Sequence, residues 1–417
     1  MKKIIISIGN LLLLVLIGIS LAGCTTQVHA KDLMAGIKPQ EVTGKVTDER
    51  FVDSQFNLSL KLLKASVKES ENENVLVSPL SILLALSMTA NGADGQTKSE
   101  MESLLGNNIP IEELNEYIYT YLNSLPSNKD NRVKIANSIW FRDNENIVSV
   151  NKKFLQTNAN YYNAQMYKSP FDDQTLKDIN NWCNLHTDGM IKKILDAIEP
   201  DDIMFLINAL VFDSKWDKPY KEDEIFKSKF TSINNVKQDV EMMRSEEAYY
   251  LIDENTEGFI KPYKDNHYSF VALLPSQLIN IYDYINGLTK ESLTNLLNNA
   301  KNAYVLATMP KFSYEYEIRL NKTLKELGMP TAFNPSLADF SKLGKSNLGN
   351  IYIGEVLHKT FISVDELGTK AGAVTSVGMK LTSCPAGYKI DLDRPFVYMI
   401  IDNTTKLPIF IGVVTEV

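Results

Sequence analysis

Asp365-Glu366-Leu367-Gly368-Thr369-Lys370-Ala371-Gly372-Ala373-Val374-Thr375-Ser376-Val377-Gly378-Met379-Lys380-Leu381 begins as a loop and continues as a strand that has not been placed in a sheet. Strand side chains alternate between two faces. With that period Thr369, Ala371, Ala373, Thr375, Val377, Met379 and Leu381 share one face, small at first, then apolar, and free of charge. Lys370, Gly372, Val374, Ser376, Gly378, Lys380 and Thr382 share the other, which is polar, small or charged apart from Val374. Such a segment can slide into a sheet, burying the first face and leaving the second wet. Its glycines and alanines nevertheless make it a poor strand where it stands. A strand-patterned loop implies a conformational switch.

Outward from this stretch the chain looks like an ordinary globular body. Its 417 residues allow two or three domains, although single folds of this size exist. Net charge is −8, and without the two lysines of the first 23 residues the remainder carries −10. An acidic body argues against nucleic acid or an anionic membrane surface as the main partner.

The N-terminus reads as an export signal over residues 1–23. Lys2 and Lys3 start it, Ile4 to Leu21 is mostly apolar, and small residues close it. Leu21-Ala22-Gly23-Cys24 resembles a bacterial lipobox, which implies diacylglycerol on the Cys24 sulfur and a protein held at the outer face of a bacterial membrane, or extracellular. An ordinary signal peptide or a membrane-spanning anchor is the alternative. Cys183 and Cys384 remain, too few to imply a disulfide framework. Residues 24–50 are polar and unpatterned, with Gly36, Pro39 and Gly44, and read as a tether.

From residue 51 to 417 one continuous domain is expected. Phe51, Phe56, Leu60 and Leu63 have helical spacing, and Ser78-Pro79-Leu80 opens a buried helix ending at Asn91-Gly92. Further helices are expected at Lys98–Leu105, Ile111–Leu125, Lys152–Tyr161 and Leu176–Thr187. Ile135–Phe141, Met204–Phe212, Ser269–Leu274, Tyr304–Pro310 and Phe361–Asp365 read as strands, several too apolar to have a solvent face. The fold class is α+β, a large sheet covered by helices.

Enzymatic chemistry is hard to find. No HExxH, CxxC, GxSxG, P-loop or GxGxxG pattern occurs. The histidines are His29, His186, His267 and His358. Cys183 and His186 are spaced to meet on a helix as nucleophile and base, but a half-buried thiol and a helix-end histidine explain them as well. Asp201 and Asp202 follow Pro200 as a turn does. No clustered ligand set for a metal is visible, and no cofactor is implied.

The whole body resembles the serpin family. The resemblance rests on Asn74-Val75-Leu76-Val77-Ser78-Pro79-Leu80-Ser81, Ala136-Asn137-Ser138-Ile139-Trp140, Asn208-Ala209-Leu210-Val211-Phe212 and Met309-Pro310-Lys311-Phe312. It continues in Leu324-Lys325-Glu326-Leu327-Gly328-Met329, Asp393-Arg394-Pro395-Phe396-Val397 and Pro408-Ile409-Phe410-Ile411-Gly412, in the family's order. The resemblance implies a monomeric inhibitor of serine proteases with no catalytic residue of its own. Its exposed reactive-centre loop is cut, the protease is trapped as an acyl-enzyme, and the loop inserts into the main sheet.

Residue roles follow from the same resemblance. Gly368 supplies freedom for the turn into the sheet, and Thr369, Ala371, Ala373 and Thr375 are the small, inward-facing hinge positions. Glu366 and Lys311 form an ion pair where entry begins, with Trp216 nearby. Ser78, Ser81, Asn208 and His358 form a polar cluster under the sheet centre, which a satisfied polar core would also explain. Lys370, Gly372 and Val374 depart from the family pattern, all on the outward face.

The cut falls at Thr382–Ser383 counting forward from Glu366, or at Ser383–Cys384 counting back from Pro395. Lys380–Leu381 is a third choice with a shorter lever. Thr or Ser before the cut suits an elastase- or subtilisin-like target, and Lys a trypsin-like one. The Cys384 thiol raises the prospect of a cysteine protease. Two other readings stand beside this one: a lipid-anchored solute-binding protein, and a non-inhibitory serpin acting as a surface binder or chaperone-like protein. Bulky or charged inward hinge residues, expected of the latter, are absent.

Overall fold

Met204–Phe212 has one polar residue, Asn208, so a strand built from it has no face to spare for water. The structure, a computed structural model, describes residues 28–126, 131–143, 147–200, 202–347, 349–369 and 387–417. Within it this strand lies inside a seven-stranded sheet. The order is β1 (Lys31–Asp32), β5 (Gln165–Ser169), β3 (Asn131–Arg142), β6 (Met204–Lys215), β15 (Gly368–Thr369), β14 (Glu355–Val364), β12 (Phe312–Arg319).

A second sheet system of nine strands runs β16 (Tyr388–Asp391), β11 (Lys301–Pro310), β8 (Lys237–Ile252), β9 (Thr256–Pro262), β10 (Tyr268–Pro275), β17 (Phe396–Asp402), β18 (Pro408–Val414), β2 (Val75–Val77). Strand β7 (Ile225–Thr231) flanks β8, while β4 (Val148–Val150) and β13 (Gly344–Ser346) pair with each other. Helices plus mixed sheets make the α+β architecture that the sequence implies.

The helix Pro79–Ala90 explains how the two systems are held together. Ser78 caps it by accepting from the Ser81 N–H, Pro79 fills the first turn, and every residue in it is buried. It packs against β6, β3 and β18 at once. The opposite face of the sheet is covered by the helix Asp173–His186, which begins at Asp173 because Asp172 and Thr175 form a capping box. Trp140, Ile179, Trp182 and Phe205 make a separate apolar cluster between that helix and the sheet.

The N-terminal segment differs from the expected tether. From Val28 onward it is docked on the body. The His29 and Ala30 N–H groups each donate to the Asp178 carboxylate at 2.8 Å, and β1 pairs with β5. Leu33, Met34 and Ile37 pack against the main core, Lys45 pairs with Glu113, and Asp48 caps the helix Glu49–Glu69. An extended strap that drops single apolar residues into grooves has no period, which is why it reads as unpatterned. Cys24 lies outside the described residues, and so do the loop positions from Lys370 through Ala371, Ala373 and Thr375 to Lys380, Leu381, Thr382, Ser383 and Cys384.

Candidate functional site: the head of the seven-stranded sheet and the seam below it

Strand β14 ends at Val364, and the chain doubles back at once. The Asp365 carboxylate accepts from the Leu367 and Gly368 N–H groups at 2.8 and 3.1 Å, and the Asp365 N–H donates to the Gly368 carbonyl at 3.0 Å. This Asx-type turn sends Gly368 and Thr369 between β6 and β14 as the two-residue strand β15. Gly368 pairs with Lys215, and Thr369 with both Ser214 and Val364. The role of Gly368 is one of space: a Cβ there would lie 2.2 Å from the Ser214 carbonyl oxygen. Conformational freedom, the reason anticipated from sequence, is not what this position needs.

The turn is held from several sides. The Trp216 N–H donates to the Leu367 carbonyl at 2.9 Å and its indole Nε1–H to the Asp365 carbonyl at 2.8 Å. Lys311 Nζ lies 2.9 Å from Glu366 and 3.1 Å from Glu241. The Lys311 ammonium keeps the Glu366 carboxyl below the ordinary carboxylate range, while burial pushes the Asp365 carboxyl up. The Trp216 ring stacks on Tyr263 at 4.5 Å, and the Tyr263 hydroxyl meets the Thr369 hydroxyl at 2.5 Å. Lys311, Trp216, Glu366, Gly368 and Thr369, singled out in the sequence, therefore come together.

Below β15 the direct pairing of β6 with β14 is interrupted among the described residues. Strands β6 and β14 pair directly only from Phe205–Glu355 to Ala209–Lys359. Among the described residues, Leu210–Asp213 and Thr360–Ser363 have no ladder partner on their facing edges. A seam one strand wide thus runs from Thr369 down to the closed part of the ladder.

The polar cluster sits at the top of that closed part, where His358 is the ladder partner of Asn208. The Ser78 N–H donates to His358 Nε2 at 3.2 Å, and Asn208 Nδ2 donates to the Ser81 carbonyl at 2.7 Å and to Asn137 Oδ1. Burial pushes the imidazole down to about 3, so the ring is neutral and its proton resides on Nδ1. Ser78, Ser81, Asn208 and His358 are thus linked in one network.

Cys183 and His186 do not form a catalytic pair. The thiol is buried and burial pushes it up to about 12. His186 is engaged by the Trp182 carbonyl at 2.7 Å and by Gln165 at 3.0 Å. Among the described residues no group of three or more His, Cys, Asp or Glu side chains is gathered as a metal ion would require, and no helix is long and apolar enough to cross a membrane.

A protein-family model described as "Serpin (serine protease inhibitor)" matches residues 53–417. The chain belongs to the serpin family. The native state of the thermophilic serpin Tengpin is similar with a TM-score of 0.90 and 51% identity, covering 93% of this chain and 100% of that one. The latent state of Tengpin, at the same 51% identity, gives 0.80, covering 90% and 100%. This serpin is accordingly folded like the native form of that relative. A serine protease inhibitor of Cyanea capillata is 27% identical over 368 residues, 85% of this chain and 95% of that one. Serpins are mostly protease inhibitors rather than enzymes.

Several residues of the site escaped the sequence reading. Tyr263 and the ion pair of Lys261 with Glu247, at 2.9 Å and buried on both sides, lie behind Trp216, with Lys261 Nζ 4.3 Å from the Tyr220 ring centroid. A lysine buried with one carboxylate from β8, itself a strand rich in exposed charges, has no distinguishing pattern. Asn137 had a signal: like Asn208 across the ladder, it is an amide in an apolar run.

Proposed function

We propose that this serpin is inhibitory and acts as a suicide substrate. A serine protease cuts the loop after Thr369 and is held as an acyl-enzyme. The freed segment then enters the seven-stranded sheet and carries the protease to the far pole. The seam carries this reading: it is one strand wide, with Thr369 already seated at its head. Extending the antiparallel register of Thr369 with Ser214 brings residue 379 level with Met204, about 33 Å down the sheet at roughly 3.3 Å per residue. A cut at Thr382–Ser383 or Ser383–Cys384 leaves a strand long enough to span the sheet; Lys380–Leu381 leaves less. Twelve or so new ladder residues at about 0.5–1.5 kcal/mol each supply on the order of 10 kcal/mol.

Incubation with elastase-, subtilisin- and trypsin-like proteases, followed by denaturing electrophoresis, tests the proposal. A covalent band of summed mass is expected, and the released C-terminal peptide identifies the bond. Thr369→Arg should abolish the band and leave cleavage intact. Fragments alone from the unaltered chain would favour a binding or chaperone-like serpin.

We also propose export and lipid attachment at Cys24. Only Thr25, Thr26 and Gln27 then separate the lipid from the docked strap, a reach of about 13 Å. Lys31 is level with Lys168, Phe141 and, through them, Met204, so the strap leaves near the end of the sheet opposite Thr369. This arrangement presents the loop away from the bilayer. Mass spectrometry of the membrane-extracted protein would find diacylglycerol on Cys24; a free N-terminus elsewhere would refute the anchor.

A further inference from the structure

Behind Trp216 a β-bulge opens a hollow in the nine-stranded sheet. Asn302 of β11 pairs with Tyr249 and Val305 with Glu247, so Ala303 and Tyr304 together stand opposite Ala248. An extra residue of this kind bends its strand and re-aims the side chains beside it. The cavity at the bulge measures about 330 Å³, enough for a small ligand. Its lining includes Asp217, Lys218, Glu246, Glu247, Lys261 and Tyr304.

Glu247 and Lys261 are 8% and 2% exposed, and their ion pair reaches this cavity. The ammonium is fully engaged. Besides Glu247 it meets the Lys218 carbonyl at 3.4 Å, and it lies 4.3 and 5.3 Å from the Tyr220 and Trp216 ring centroids. The carboxylate is only half used. Lys261 Nζ and Ser245 Oγ both donate to Oε1, at 2.9 and 2.6 Å, and among the described residues Oε2 accepts from none. A buried oxygen left without a donor is costly. Asp217, Glu246 and Glu247 against Lys218 and Lys261, three carboxylates against two ammonium groups, leave the lining one negative charge in excess. A bare metal ion would need more oxygen ligands than are gathered here among the described residues. What fits is a cation that brings its own N–H donors.

We propose that this cavity binds a small organic cation, a primary amine of the size of a linear diamine. One ammonium donates to Glu247 Oε2, the alkyl stem lies along Ala303 and Pro262, and the second ammonium stays at the open side with the exposed Asp217. Occupation ties β8 to the segment from Trp216 to Tyr220. That segment holds the turn after β14, through the Trp216 N–H to the Leu367 carbonyl and the Tyr220 N–H to the Glu366 carbonyl, both at 2.9 Å. The cation thereby steadies the head of the seven-stranded sheet from behind, whether or not the loop ever inserts.

The test uses the full chain labelled with fluorotryptophan, whose three resonances belong to Trp140, Trp182 and Trp216. Putrescine should move the Trp216 fluorine resonance saturably, with a dissociation constant on the order of 1 mM, as suits so small a ligand. Trp140 and Trp182, packed in a separate apolar cluster, should not respond. Butanediol at the same concentration and sodium chloride at the same ionic strength should leave Trp216 unmoved. No saturable shift with putrescine, or the same shift with either control, would overturn the site. Glu247→Gln keeps an oxygen for Lys261 and Ser245 and should weaken putrescine by about tenfold or more; equal affinity would overturn the assignment. Should that variant fail to fold, the exposed Asp217 decides. Asp217→Asn should weaken putrescine about two- to fivefold and leave butylamine as it was; loss for both amines or for neither would overturn the two-ended fit. Saturation should also slow hydrogen exchange at the Leu367 and Gly368 amides, and unchanged exchange would overturn the link to the turn.

Discussion

The hydroxyl of Tyr263 lies 2.5 Å from that of Thr369 and joins the first residue of the loop to the core beneath the sheet. The tyrosine ring cannot turn away, since it stacks on Trp216 at 4.5 Å and meets Phe212 edge-on at 5.0 Å. Thr369 of this serpin is therefore held against the core where its strand begins.

Tyr263→Phe keeps the ring and removes the hydroxyl. Losing one buried hydrogen bond should release the hinge about three- to tenfold more often. Trypsin should then cut after Lys370 faster by that factor, with its rate after Lys380 unchanged, as read from fragment masses. An unaltered ratio would mean that the ladder and the Asp365 turn hold β15 without help from Tyr263.

The ion pair above the hinge should behave differently. Lys311 and Glu366 are both partly exposed, so Lys311→Met should cost no more than about 1 kcal/mol of global stability. It leaves Glu241 and Glu366 without their shared cation. Hydrogen exchange at the Leu367 and Gly368 amides should accelerate, while exchange in β17 stays as it was. A loss of several kcal/mol in denaturant titration would contradict this local role.

How much of this was legible in the sequence depends on periodicity. The helix Pro79–Ala90 and strand β6 were visible because unbroken apolar runs bounded by a cap or a turn have one reading. Strand β14 was seen only from Phe361, since Glu355, His358 and Lys359 hide its first half. His358 is buried against Ser78, and Lys359 pairs with Glu315 and Glu317 on the neighbouring strand. The strap from Val28 to Asp48 and the Tyr263 contact were illegible for a shared reason. Both are matches between segments far apart in the chain, and neither leaves a local period.

That strap makes its own prediction. Asp178, a buried carboxylate, accepts from the His29 and Ala30 N–H groups and from Gln174 at 2.9 Å. Charge-assisted bonds of this kind contribute roughly 1.5–3 kcal/mol. Asp178→Ala should lower the denaturation midpoint accordingly and raise hydrogen exchange across residues 28–34. If exchange there is already as fast in the unaltered protein, the strap is not docked in solution.

Acid should weaken the native state through His358. Its imidazole is held near 3 by burial, against an ordinary value of 6.5 in the unfolded chain. Between these values the unfolded chain binds a proton that the folded chain refuses, so stability rises with pH through this window. The contribution is fully present above pH 6.5 and is lost as pH falls toward 3, at up to about 1.4 kcal/mol per pH unit. Carboxylates titrate in the lower half of the same range, which makes the difference between two proteins the informative quantity. His358→Gln preserves an acceptor for the Ser78 N–H and removes the titration. Its midpoint in denaturant should therefore fall less steeply than that of the unaltered chain between pH 6.5 and 5, where most carboxylates are still ionised. Parallel curves over that interval would place the histidine in water, and the network beneath the sheet would lose its central member.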